Sequence, residues 1–211
     1  MTGKTHRLGG VVCCFGGYLL LESQNMLVAN VDPLVQLSVL YPFAIYGSVV
    51  SDLDHNWQSA PCKDPVSFLI NKLLHILPNS RNSFFCAKHR SWQTHSDLFL
   101  ALAIILGMFI TQMQTNDMSA CLFRLMSTGL VMGIISHLIL DMLTPQGIWS
   151  IFLLSVKKIF KLRGSAKISL VPNSEFFATD GTWEHIIRMI LWIASFLLMI
   201  VILTTSLGVR F

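Results

Sequence analysis

Four apolar stretches of this chain run uncharged for about the length of a membrane span, and that feature limits the possible folds most. They are 33–51 (19 residues), 98–116 (19), 125–140 (16) and 189–209 (21). A spanning helix needs roughly 20 predominantly apolar residues. The third run lengthens to about 24 if Arg124 and Asp141 sit at the two membrane edges. A fifth run, 8–21, has 14 residues before Glu22 and suits a short, tilted or re-entrant helix. Hydrophobic residues make up 53% of the chain and charged residues only 12%, too few to cover a soluble domain's surface. The expected fold is therefore all-α: one polytopic membrane bundle over 1–211, with about five spans.

Lys and Arg in the loops set the orientation. With five spans and a cytoplasmic N-terminus, the inner segments are 1–7, 52–96 and 144–188. These hold 13 of the 15 Lys and Arg, leaving only Arg124 and Arg210 outside. Glu22, Asp32 and Asp117 fall on the outer side. The net charge of +4 thus reads as membrane orientation, with no nucleic acid as partner. Five cysteines without CxxC spacing read as free thiols. An amphipathic helix is expected near 66–76, lying along the inner surface. The basic stretch 157–167 is expected to meet anionic headgroups.

The ionisable residues then fall at one membrane depth. His6 precedes the first run; Asp52, Asp54 and His55 follow the second; His89 and His95 precede the third. His137 and Asp141 close the fourth, and Glu184 and His185 precede the fifth. His137 and Asp141 are four residues apart, so they share one helix face. A carboxylate at membrane depth needs a cation or hydrogen-bond partner. Imidazole and carboxylate together hold zinc, manganese or iron better than calcium. The set His6, Asp52, Asp54, His89, His95, His137 and Asp141 exceeds the needs of one ion and suits one or two. Taken alone, an Asp-x-Asp is also a turn cap, and a His-xxx-Asp pair a helix-surface hydrogen bond. Thr94 and Ser96 are placed to support His95 or to cap the third helix. Arg90 matches a substrate phosphate or carboxylate as well as it matches an anchor to the inner surface. His75 reads as a surface residue.

Five strings carry a family resemblance: THRLGG (5–10), SVVSDLDH (48–55), HRSWQTHS (89–96), GIISHLILDMLTPQG (133–147) and LVPNSEFFATDGTWEHIIR (170–188). Together they resemble the LexA-regulated, inner-membrane metal-dependent hydrolases, the YdjM-like family, over nearly the whole chain. The resemblance implies a multi-pass inner-membrane protein with a hydrolase-like metal constellation. It carries over to His6, Asp52, Asp54, His55, His89, His95, His137 and Asp141, with Glu184 at the family's late acidic position. The ligand pattern also looks like that of zinc-dependent phospholipases C. The expected function is a metal-dependent hydrolase using activated water on a phosphoester or ester of a membrane lipid or lipid-linked substrate. In it Asp54, His55, Arg90 and Glu184 would serve the chemistry. Two alternatives stand beside it: a non-enzymatic, metal-stabilised membrane regulator, and a proton or metal-ion transporter.

Overall fold

A computed structural model describes residues 1–28, 31–54, 62–76, 94–113, 117–161, 166–171 and 180–207, with side chains at 74–76 left aside. The described chain is mostly helical. Seven helices are present among the described residues: α1 (Gly3–Ser23), α2 (Pro33–Val50), α3 (Pro65–Ile76), α4 (Asp97–Gln112), α5 (Met118–Met142), α6 (Ile151–Phe160) and α7 (Thr182–Ser206). A two-stranded antiparallel ladder, β1 (Ile148–Trp149) and β2 (Lys167–Ile168), brackets α6.

Local chemistry explains the helix starts. Asp32 caps α2, accepting from Leu34 N and Val35 N, with Pro33 supplying a preset φ at the first position. Asp117 caps α5 through Ala120 N, and Ser96 caps α4 through Phe99 N. Two helices begin with polar turns well ahead of their apolar runs. Helix α1 starts at Gly3 and takes in Lys4, His6 and Arg7; α7 starts at Thr182 and takes in Glu184 and Arg188. Both extra turns are polar, so hydropathy alone does not report them.

Three helices are long and apolar enough to cross a membrane: Pro33–Asp54, Met118–Met142 and Thr182–Ser206. This differs from the expected count of five for two physical reasons. Helix α4 has 16 residues, about 24 Å at 1.5 Å per residue. Helix α1 has the length, at 21 residues, but its polar first turns lower its hydropathy.

The bundle is built around α2 and α5, whose backbones touch. A Cβ at Gly133 would strike the carbonyl oxygen of Ala44, and one at Gly47 would strike that of Leu130. Only glycine allows this approach, a common device where lipid supplies no hydrophobic drive between helices. Helix α1 packs on both, and Cys14, Tyr18, Leu40, Ala44, Cys121, Leu125 and Ile202 form the apolar core. Arg124 lies at one end of the bundle. Its guanidinium donates to the carbonyls of Met26, Thr111 and Met113, capping the turn after α1 and the end of α4. Outward faces are apolar: Ile105 and Phe109 on α4, Trp192 and Phe196 on α7 all exceed half exposure. A surface of this kind suits acyl chains and not water. Helix α3 follows the same inverted pattern, with Ser67 and Asn71 buried and Val66, Leu69 and Leu73 exposed.

Candidate metal centre

Buried polar side chains gather where the end of α2, the start of α4, the C-terminal half of α5 and the first turns of α1 meet. After Val50 the chain tightens into a 3-10 turn, Ser51–Asp54. That turn aims its two aspartates at different sides of His95. Asp52 Oδ1 lies 3.6 Å from His95 Nε2, whereas Asp54 Oδ2 lies 3.4 Å from His95 Nδ1. Thr94 donates to Asp54 Oδ2 at 2.6 Å and lies 2.9 Å from His95 Nδ1.

His137 and Asp141 project from one face of α5, as their spacing predicts. His137 Nδ1 donates to the carbonyl oxygen of Ser48 at 2.7 Å. The bond fixes the tautomer, leaving Nε2 as a lone pair facing the pocket. That Nε2 lies 3.1 Å from His95 Nε2, 3.4 Å from Asp141 Oδ2 and 3.7 Å from Asp52 Oδ1. His95 Nε2 is 3.3 Å from Asp141 Oδ2. With the Asp52–His95 distance, these are five of the six separations among four donor atoms. Zinc with ligands at about 2.0–2.2 Å spans tetrahedral edges of about 3.3–3.6 Å. The five separations come close to that size, and imidazole with carboxylate is the right chemistry for a divalent ion.

His6 forms the rim. Its ring stacks on His137 at 3.9 Å between centroids, and its Nε2 lies 3.5 Å from Asp141 Oδ1. Its Nδ1 is buried without a hydrogen-bond partner among the described residues. Two ligand groups can be drawn, His6–His137–Asp141 and Asp52–His95–His137. Both need His137, which has one available nitrogen. The two groups therefore share that nitrogen, which one ion could use at a time.

Electrostatics call for a cation here. Three carboxylates meet in a space where the His6, His95, His137 and Asp141 side chains are at most 1% exposed, while Asp52 keeps 18%. Burial alone would lower the pKa of His95, but hydrogen bonds with Asp52 and Asp54 outweigh it and raise it to about 9.

Five expected ligands thus come together: His6, Asp52, His95, His137 and Asp141. Asp54 stands behind His95, on its outer nitrogen. Glu184 lies elsewhere. It accepts from Thr2 N and Thr2 Oγ1 at 2.6 Å, from Thr5 Oγ1 and from Asp180 N at 2.7 Å, with Arg188 at 3.4 Å. This ties α7 to the first turn of α1, next to His6. His55, His89 and Arg90 lie outside the described residues. His185 is exposed and away from the pocket. The Ser48 carbonyl was not foreseen, because nothing in a sequence marks a backbone oxygen. Also unforeseen is a clamp on the His95 segment: Trp149 N donates to His95 O at 2.7 Å, and Ser150 donates to Asp97 at 2.6 Å. The serine-led start of α6 was its one readable signal.

An uncharacterized protein of Bacillus subtilis (strain 168), YvsG, is 30% identical over 152 residues, covering 72% of this chain and 73% of that protein. No solved structure matches the chain. The family model described as YdjM inner membrane protein matches residues 1–210, the length over which the helices and the His/Asp pocket extend. With apolar helices able to cross a bilayer and a match over its whole length, the chain belongs to the YdjM inner membrane protein family.

Proposed function

We propose that the chain is a membrane-embedded, metal-dependent hydrolase acting on a phosphoester or ester of a membrane lipid or lipid-linked substrate. One observation carries the metal reading: His95 Nε2 and His137 Nε2 lie 3.1 Å apart in a buried pocket, and Asp52 Oδ1 and Asp141 Oδ2 each lie 3.3 to 3.7 Å from both nitrogens. A divalent ion held there, zinc above manganese or iron, would supply a Lewis acid that activates water. The remaining steps belong to the protein. Asp54 holds His95 through Nδ1, and Thr94 holds Asp54. The Ser48 carbonyl orients His137. His6, with Nε2 facing Asp141 and a buried Nδ1, is placed to take a proton from attacking water. Asp52, the one partly exposed donor, marks the side from which substrate approaches. The membrane setting favours a lipid as substrate.

The finer topology is part of the same reading. Helices α1 and α4 complete a five-span bundle, α4 by tilting little or thinning the bilayer. The distribution of Lys and Arg puts the N-terminus and the pocket on the cytoplasmic side.

One observation favours a second reading. Four protein donors around His95 and His137 would fill a tetrahedral shell, as in structural zinc sites, while catalytic sites keep a position open. In that case the ion ties α2, α5 and the His95 segment together without turnover.

Elemental analysis of the purified protein tests the metal. One equivalent of zinc is expected per chain, lost in His137→Ala and Asp141→Ala; a metal-free wild-type protein that takes up none on addition overturns both readings. Release of phosphate, headgroup or fatty acid from added lipids separates them. Activity that His6→Ala abolishes while zinc stays bound supports the hydrolase. Zinc-dependent stability with no turnover on any lipid class supports the structural tie.

A further inference from the structure

Helix α6 is packed to the bundle by its first turn and otherwise presents itself outward. Phe152, Ile159 and Phe160 are 72%, 73% and 68% exposed. With Val156 they recur at i, i+4, i+7 and i+8, one arc of the helix. Lys157 and Lys158 lie off that arc, and Lys161 follows as the left-handed residue that ends the helix. Such a helix has no stable home in water and none inside the bilayer core. It fits the boundary, with its rings among the acyl chains and its ammonium groups at headgroup level.

Charge identifies the lipid. From 142 to 174 the chain carries five cations, Lys157, Lys158, Lys161, Arg163 and Lys167, and no acid. Each basic side chain close to an anionic surface adds to attraction that neutral headgroups do not provide. We propose that α6 lies in the membrane plane and docks on anionic phospholipid headgroups. The attachment leads to the metal pocket. Asp97 accepts from Ser150 Oγ at 2.6 Å and from Ile151 N at 2.9 Å, joining the start of α6 to the start of α4. Trp149 N holds His95 O, and Lys167 Nζ sits 4.8 Å over the Trp149 ring. An anionic lipid bound along α6 is thereby held next to the segment that presents His95. This docking goes beyond the hydrolase reading and does not depend on it, since lipid retention is measured whether or not the protein turns anything over.

The test uses the full chain reconstituted in phosphatidylcholine vesicles containing spin-labelled phosphatidylglycerol or spin-labelled phosphatidylcholine. Electron spin resonance then reads the motionally restricted fraction of each. The wild-type protein is expected to retain phosphatidylglycerol at least about threefold over phosphatidylcholine at low salt, with the preference shrinking at about 0.5 M salt. Lys157→Gln, Lys158→Gln and Lys161→Gln combined should bring the ratio close to parity while phosphatidylcholine retention stays unchanged. Equal retention of the two lipids by the wild type, or an undiminished preference in the triple variant, overturns the proposal. If the triple variant does not fold, Lys158→Gln alone, at an exposed position, must still lower the ratio; an unchanged ratio there also overturns it.

Discussion

Asp54 acts at one remove from the pocket. Its carboxylate receives the Thr94 hydroxyl and faces the outer nitrogen of His95, whereas Asp52, two residues earlier, faces the inner one. A carboxylate behind a ligating imidazole fixes its tautomer and raises its basicity, and losing such a group typically costs 10–100-fold in metal affinity. Asp54→Ala is therefore expected to weaken zinc binding by about 10–100-fold, with one equivalent still bound at saturation. Asp52→Ala should instead remove a ligand and leave a site that does not saturate. Competition with a chromophoric chelator measures both. Equal behaviour of the two variants would remove the distinction drawn between them. Sequence alone gave the two aspartates similar standing, because Asp-x-Asp spacing does not specify direction. The 3-10 turn does.

Among the elements, α2 and α5 bear the site, since their close contact brings the Ser48 carbonyl to His137. The contact depends on Gly47 and Gly133, where the opposing backbone leaves no room for a methyl group. Gly133→Val should push the helices apart at a cost of about 1–3 kcal/mol, as overpacking commonly does. It should also weaken metal binding, although residue 133 is a full turn from His137. Thermal unfolding in detergent with and without zinc checks this: a normal melting temperature with normal zinc affinity would show that the contact is dispensable. Gly129 and Gly133, eight and four residues before His137, mark a close-approach face in the sequence. The partner helix is not marked there, since several apolar helices are equally plausible partners on pattern alone. Helix ends were harder still. The starts of α1 and α7 are decided by a contact between residues about 180 positions apart, Glu184 with Thr2 and Thr5, and local periodicity carries no trace of it.

For the whole molecule, the prediction concerns sidedness. Thirteen of 15 Lys and Arg in the expected inner segments would put the N-terminus and the pocket inside, and five spans would then put the C-terminus outside. A reporter active only outside the inner membrane, fused after α7, should be active, and the same reporter fused in the 144–188 segment should not. The reverse pattern would reject the orientation. Activity at both sites would reject the five-span count, which requires α1 and α4 to cross beside the three longer apolar helices.

Sequence by itself determined the class of this protein, because an apolar run long enough to cross a bilayer must close its backbone hydrogen bonds within a helix. It also determined the family, and the pairing of His137 with Asp141, since four residues make one helical turn. Tertiary structure alone decided which donors meet. Ligand convergence depends on distances between separate elements, and those follow from helix contacts, a tightened turn and a backbone carbonyl. Five donors from four segments came together, Asp54 moved behind His95, and Glu184 became the clamp that holds the first turn of α1 in place.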